Sequence, residues 1–397
     1  MSNIIDLPLN ELVDNVKSKK ISSKEITSAY VERSKKSNKL NTYIEQTFDN
    51  ALKNSEKFDK SPNLEKKLPG IPFAVKDLFC TKGVRTTASS KILEKFIPTY
   101  ESTITQNLWD AGAILLGKLN CDEFAMGSSN ETSYFGNVIS PIADNLVPGG
   151  SSGGSASALA AKLTPATIGT DTGGSIRQPA SFTGTVGLKP TYGSCSRYGI
   201  VAFASSLDQA GPMTRNVKDC SLLLEVISSF DPKDSTSVDF KRPNYYSELN
   251  KNIKGKKIGI PQEYSSDDLP QEIKEIWQKT AELQGDVLSD ELELEQISTS
   301  PDSENSDALA NATIGMTSPE TRGGTIAMPR SASAVLVNMI FEDGVGQNGR
   351  TGSAGADVLS NKTAHVDGNN LLGKIKTSAD LGGPEQAVQN STIRSEN

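Results

Sequence analysis

A repeated alternation of apolar and glycine-rich or helix-like segments between residues 70 and 211 limits the possible folds more than any other feature of this chain. Short apolar runs there alternate with helix-like or glycine-rich segments, and the helical pattern at 104–112 leads directly into one of the runs. Strands separated by helices build an α/β layered sheet. The pattern therefore predicts strands at 71–75, 113–117, 166–169 and 186–188, with one more at 256–260 and a helix at 270–283.

The first 66 residues are predicted to carry helices. A helix stripe with i, i+3, i+4, i+7 spacing is formed by Leu9, Leu12, Val13 and Val16. A second helix is expected to start at Ser22, because Glu25 completes a capping box three residues later. The charged segment at 50–66 is expected to be exposed.

Length and charge exclude several classes of protein. A chain of 397 residues can bury one large core or two ordinary ones. A net charge of -7 argues against broad binding to a phosphate backbone, although a protein partner could still bind nucleic acid. The chain has no 18-residue apolar window and no signal-like N-terminus, so we expect no membrane span and a cytoplasmic protein.

The chemistry of the side chains is limited by the histidine and cysteine content. His365 is the only histidine and has no cluster of metal ligands around it, so we interpret it as an ordinary exposed residue. Proton transfer must then come from lysine, carboxylates or hydroxyls. The cysteines are far apart in sequence, which favours buried, reduced thiols over a zinc site or a disulfide framework; they are Cys80, Cys121, Cys195 and Cys220.

Two glycine-serine segments suggest a site that binds a negatively charged group. The first, PGGSSGGS at 148–155, runs into the helix-forming ASALAAKL, so its backbone N–H groups are expected to converge on one spot. A flexible linker is the alternative, but a linker would not lead straight into a helix and a strand. The second, IGTDTGGSIRQ at 168–178, follows an apolar strand and allows a tight turn that exposes a serine. A plain turn would also explain it.

The third segment, GIPFAVKDLF at 70–79, places Lys76 at the end of an apolar strand. A lysine is costly there unless it is paired or functional, and burial favours the neutral amine, which can take a proton from a hydroxyl. From this segment alone, a surface lysine at a strand end is an equal alternative.

In their order and separation, the three segments resemble the amidase signature family over about residues 5–283. The resemblance implies a mixed β-sheet covered by helices on both faces, with a helical N-terminal extension. It also implies a Ser-Ser-Lys triad with Lys76 as base, Ser151, in a cis peptide, as the bridging serine and Ser175 as nucleophile. The implied oxyanion hole is formed by the backbone N–H groups of Thr172, Gly173, Gly174 and Ser175. Asp171 and Arg177 are interpreted as loop scaffolding rather than chemistry.

Three longer strings are similar to one branch of the family, the glutaminase (A) subunits of tRNA-dependent amidotransferases. They are KDLFCTKGVRTTASS at 76–90, DEFAMGSSNETSYFGN at 122–137 and SRYGIVAFASSLDQAGPMTR at 196–215. The resemblance implies glutamine as substrate and ammonia delivery to partner B and C subunits that convert Glu-tRNA(Gln), or in some systems Asp-tRNA(Asn). It implies no cofactor in this chain, with ATP and Mg²⁺ used by the partner.

The region 284–397 does not match the family pattern. It is rich in small and polar residues and contains one aromatic residue, Phe341. Too little apolar surface is available there to offset chain entropy, so we expect disorder or poor packing. The predicted domains are therefore 1–283, with N-terminal helices at 5–66 and a catalytic core at 67–230, and a divergent tail at 284–397. A stand-alone amidase and an inactive, truncated or chimeric subunit remain alternatives.

Overall fold

The computed structural model describes residues 4–249, the strands at 258–261, 294–297, 323–327 and 339–340, and residues 271 and 275. The chain divides into two compact units. The first unit comprises Met1–Lys189, Gly193–Leu249 and Ala327–Arg330, and the second comprises Pro190–Tyr192, Asn250–Ile326 and Ser331–Asn397. The candidate functional residues all belong to the first unit.

The α-helices of residues 4–249 are α1 (Leu9–Lys17), α2 (Ser23–Lys36), α3 (Phe48–Lys60), α4 (Thr103–Asp110), α5 (Gly153–Ala160), α6 (Arg177–Thr183), α7 (Val217–Ile227) and α8 (Tyr245–Glu248). The four residues of the predicted α1 stripe are all buried. The predicted capping box of α2 is present, because Ser22 Oγ accepts from Glu25 N while a Glu25 carboxylate oxygen accepts from Ser22 N. Both N-terminal helix predictions are thus confirmed.

Helix α3 corrects the expectation that the segment at 50–66 is simply exposed. The helix is mostly charged and polar, yet Ala51 and Ser55 lie buried on one face together with Phe48. A buried face this narrow gives a weak apolar pattern in the sequence, because small side chains and a serine supply most of it.

The first unit contains a sheet of six strands. They are β1 (Tyr43–Gln46), β2 (Pro72–Lys76), β3 (Ile114–Leu119), β4 (Thr167–Asp171), β5 (Val186–Lys189) and β6 (Gln209–Thr214). Their spatial order is β1-β3-β2-β4-β6-β5. Strand β2 pairs in parallel with both β3 and β4, whereas the β1–β3, β4–β6 and β5–β6 pairs are antiparallel. This mixed sheet confirms the predicted α/β class and the four predicted strands of the core.

The parallel pairing of β2 and β4 positions the site. Both strands are buried along their whole length. Because parallel strands end at the same edge of a sheet, Lys76 and the loop after Asp171 emerge side by side. Helices α5 and α6 pack together beside them in an apolar cluster of Ala156, Leu159, Ile176, Ala180 and Met213. All four cysteines are buried and free, as predicted.

Four further short strands are described, in two pairs. Strand β7 (Ile258–Pro261) lies parallel to β8 (Leu294–Ile297), and β9 (Gly323–Ala327) is antiparallel to β10 (Met339–Ile340). Strand β7 confirms most of the strand predicted at 256–260. Of the predicted helix at 270–283 only residues 271 and 275 are described, and both are helical. The remainder of that helix, the boundary at 283, His365 and most of 284–397 lie outside the described residues. No helix among the described residues has the length and apolar character to cross a membrane.

Candidate active site

Lys76 is a buried amine surrounded by hydroxyl groups. It ends β2 and is completely excluded from solvent. Its Nζ donates to Ser151 Oγ at 2.7 Å, to Thr170 Oγ1 at 2.8 Å and to Ser152 Oγ at 2.9 Å. Burial lowers the pKa of Lys76 to about 8, because the ammonium form loses hydration. The structure therefore excludes the alternative of a surface lysine and provides an amine that is partly neutral near physiological pH.

The glycines beside Ser151 allow the backbone to pack closely. All residues from 148 to 155 are buried. A Cβ atom on Gly150 would lie 2.0 Å from Asp122 Oδ2, and one on Gly154 would lie 2.3 Å from Asn120 O. Only glycine fits at such distances. The segment is thus a packed loop that opens α5 and not a flexible linker, and its Gly150–Ser151 peptide bond is cis, as the resemblance implied.

Ser175 lies in the loop that follows β4. Its side chain is nearly buried, with 8% of the residue exposed. The carbonyl oxygen of Ser175 accepts from Ser152 N at 3.1 Å, which joins the two serine loops. Among the described residues, the Ser175 hydroxyl has no hydrogen-bond partner. The structure thus brings Lys76 and Ser151 into direct contact and places Ser175 in the adjoining loop, without a direct hydrogen bond between the two serine hydroxyls.

Asp171 organises the loop that carries Ser175. Its carboxylate accepts from the backbone N–H groups of Gly174 at 2.8 Å and Ile176 at 3.1 Å. Arg177 pairs with both carboxylate oxygens, each at 3.0 Å. Although burial by itself would raise the pKa of Asp171, the Arg177 guanidinium holds it well below its usual range. This arrangement agrees with the prediction that the two residues are loop scaffolding.

The N–H groups predicted to form an oxyanion hole are not equivalent. The N–H of Gly174 already donates to Asp171 Oδ1, which differs from its predicted role. Within residues 4–249, the N–H groups of Thr172, Gly173 and Ser175 make no hydrogen bond. Three of the four predicted donors therefore remain free to bind a negatively charged oxygen.

Two of the hydroxyls that bind Lys76 were not predicted from the sequence. Ser152 Oγ accepts from Lys76 and donates to the carbonyl oxygen of Thr170 at 3.2 Å, while the Thr170 side chain also accepts from Lys76. Thr170 precedes Asp171 at the end of β4, beside Lys76 at the end of β2. The sequence offered no signal for this contact, because the pairing of β2 with β4 that brings Thr170 beside Lys76 was not predicted.

A second buried lysine has a different environment. Lys118 of β3 is completely buried and lies 3.3 Å from Asp77 Oδ1, and it donates to Phe79 O at 2.7 Å. Burial lowers the pKa of Lys118, and the Asp77 carboxylate opposes that effect. The contacts of Lys118 with Asp77 and Phe79 stabilise the turn that follows Lys76.

The Amidase family model matches residues 25–309 of the chain. This match is longer at its C-terminal end than the resemblance inferred from the motifs, which ended near residue 283. It includes all of the candidate site residues.

Two similar curated proteins are the A subunits of glutamyl-tRNA(Gln) amidotransferases. The protein of Pelagibacter ubique is 70% identical over 294 residues, covering 74% of this chain and 61% of that protein. The protein of Zymomonas mobilis is 57% identical, covering 72% of this chain and 60% of that protein. The chain thus spans about three fifths of the length of these curated relatives.

Solved structures show the same architecture. The glutamyl-tRNA(Gln) amidotransferase A subunit of Thermotoga maritima has a TM-score of 0.66 at 37% identity, covering 78% of this chain and 65% of that chain. The native peptide amidase of Stenotrophomonas maltophilia has a TM-score of 0.66 at 31% identity, covering 77% of this chain and 64% of that chain. The backbone alone therefore does not separate the two kinds of amidase.

Proposed function

The chain belongs to the amidase family, and from this premise we propose that it hydrolyses the side-chain amide of glutamine with Ser175 as nucleophile. The observation that carries this proposal is the 2.7 Å hydrogen bond from Lys76 Nζ to Ser151 Oγ in a buried site. We favour glutamine as the substrate over other amides because the curated relatives at 70% and 57% identity belong to amidotransferases.

The first half of the reaction makes an ester with the enzyme. Neutral Lys76 accepts the proton of the Ser151 hydroxyl, and Ser151 accepts the proton of Ser175 as Ser175 Oγ attacks the amide carbon. A bond forms between that oxygen and the carbon, and the carbonyl oxygen becomes negatively charged. The free N–H groups of Thr172, Gly173 and Ser175 bind this oxyanion.

The second half releases both products. The proton returns through Ser151 to the amide nitrogen, the carbon–nitrogen bond breaks, and ammonia leaves. Lys76, again neutral, then accepts a proton from water as the water attacks the glutamyl ester on Ser175. The bond between the carbon and Ser175 Oγ breaks, the proton passes from Lys76 through Ser151 to that oxygen, and glutamate leaves a free serine and a neutral lysine. Each proton-transfer group is a side chain of the protein, so these steps use no cofactor.

Ammonia is useful to a partner only if it is captured before it is lost. We assign that role to the B and C subunits of an amidotransferase, which would use ATP and Mg²⁺ to convert Glu-tRNA(Gln), and in some systems Asp-tRNA(Asn). The tRNA would contact the partner, in keeping with the acidic character of this chain. A cytoplasmic location follows from this role in translation.

The proposal is tested by measuring ammonia release from glutamine and from other small amides. The measurement is made on the chain alone and on the chain with the partner subunits. Replacing Ser175 by alanine should lower kcat by roughly 10⁴-fold or more, because the nucleophile is lost. Lys76→Met should have a comparable effect. Ser206→Ala is the matched control, since Ser206 is exposed and outside the site.

Three results would contradict the proposal in different ways. Release of ammonia that is unaffected by Ser175→Ala would remove the mechanism. Release from other amides but not from glutamine would indicate a stand-alone amidase. No release from any amide, with or without the partners, would indicate an inactive protein.

A further inference from the structure

Gln178 connects three segments of the active site. It lies in the first turn of α6, and its backbone N–H donates to the carbonyl oxygen of Gly174 at 2.8 Å. Its side-chain Oε1 accepts from Gly150 N at 2.9 Å, and its Nε2 donates to Ser128 O at 2.9 Å. One residue thus joins the nucleophile loop, the loop of Ser151 and the segment at 126–129.

The loop of Ser151 has little room to move against this side chain. A Cβ atom on Gly149 would lie 2.8 Å from Gln178 Oε1, and one on Gly150 would lie 2.9 Å from Ser129 N. The N–H that Gln178 accepts belongs to Gly150, the residue directly before Ser151. If the Gly150 N–H shifts, the Gly150–Ser151 peptide unit moves with it and displaces the Ser151 hydroxyl, which accepts from Lys76.

We propose that Gln178 is a positioning residue that holds Ser151 between Lys76 and the Ser175 loop. This inference rests on the proposed function, because it concerns the same proton relay. The geometry requires an acceptor toward Gly150 N and a donor toward Ser128 O at the end of one flexible side chain. Glutamine provides both, glutamate provides only the acceptor, and methionine provides neither at similar length.

The reactivity of Ser175 toward a fluorophosphonate probe measures this positioning without requiring glutamine. In that reaction Ser175 Oγ bonds to phosphorus, its proton passes to the Ser151–Lys76 relay, and fluoride leaves. Gln178→Met should lower the labelling rate by about ten- to hundredfold, because a small displacement of a reacting group has an effect of this size. Gln178→Glu should lose less, because it still accepts from Gly150 N. Gln106→Met, on the exposed face of α4, is the matched control and should keep the wild-type rate.

A double-substitution experiment separates positioning from a general structural role. If Gln178 acts through Ser151, Gln178→Met should change the labelling rate by less than about twofold in a Ser151→Ala background. An equal loss of rate in both backgrounds would overturn the inference. So would a wild-type rate in Gln178→Met.

The outcomes distinguish this inference from the proposed function. A chain labelled at Ser175 that does not hydrolyse glutamine would refute the substrate, while the labelling rates would still decide the role of Gln178. A chain that is not labelled, or is labelled equally after Ser175→Ala, would refute the nucleophile and the positioning role together.

Discussion

Lys76 and Lys118 show how the partners of a buried lysine determine its chemistry. Both are completely buried on neighbouring strands, β2 and β3. Lys118 has the Asp77 carboxylate at 3.3 Å, which stabilises its charged form. The hydrogen-bond acceptors of Lys76 are three hydroxyl groups, which stabilise the charge less. Lys76 is therefore suited to exchange a proton, and Lys118 to hold a turn.

The pH dependence of the reaction should follow Lys76. Burial lowers its pKa to about 8, and the neutral form is the base, so activity should rise as the pH increases through 8. Below that value, each pH unit should lower kcat/KM by about tenfold as the amine becomes protonated. Rates of ammonia release or of Ser175 labelling between pH 5 and 10 would measure this profile. A rate that stays constant down to pH 5 would contradict the role of Lys76 as base.

The sequence singled out the three candidate residues of the site more readily than the hydroxyl groups around them. Lys76, Ser151 and Ser175 stand in three separate segments whose order and spacing are informative. Ser152 and Thr170 could not be singled out in the same way, because hydroxyl residues are frequent in both loops. The contact of Thr170 with Lys76 depends on the pairing of β2 with β4, and the two residues are 94 positions apart. Ser152 contacts Lys76 from the loop before α5, 76 positions away.

At the level of elements, the N-terminus of α1 is stabilised from a distant part of the chain. Pro8 precedes the helix and provides no side-chain cap. Asp219 of α7 accepts from Leu9 N at 2.8 Å and from Asn10 N at 2.9 Å. The apolar stripe of α1 was visible in the sequence, but this cap was not, because the residues that form it are about 210 positions apart.

Removing this distant cap should destabilise the first unit. Asp219→Ala leaves two backbone N–H groups without their acceptor, one of them buried, and should lower the free energy of unfolding by about 1–3 kcal/mol. Ser22→Ala, which removes the exposed capping box of α2, should lower it by about 1 kcal/mol. Urea unfolding provides both values, and amide hydrogen exchange at Leu9 and Asn10 reports the local effect. A loss in Asp219→Ala no greater than that in Ser22→Ala would contradict this account.

At the scale of the whole molecule, the two strands of the six-stranded sheet that were not predicted from the sequence have an atypical composition. Strand β6 reads QAGPMT, whose glycine and proline are unfavourable in a strand, yet it pairs with β4 along its length. Strand β1 contains Glu45 and Gln46 and pairs only with β3 within the six-stranded sheet. Tertiary pairing outweighs local preference in both cases. Strand order was likewise not predictable, because it is fixed by contacts between distant segments.

The same distant contacts predict that the site and the first unit unfold together. Lys76 and Thr170 come from adjacent inner strands, Ser151 Oγ accepts from Lys76, and Ser152 N donates to Ser175 O. We therefore expect the relay to stay together while the sheet remains intact. The four buried cysteines all lie in this unit and report its opening through their reactivity with a thiol reagent. In a urea titration, we expect Ser175 labelling to disappear at the concentration at which the thiols become reactive. Loss of labelling at a clearly lower urea concentration would show that the site opens independently of the sheet.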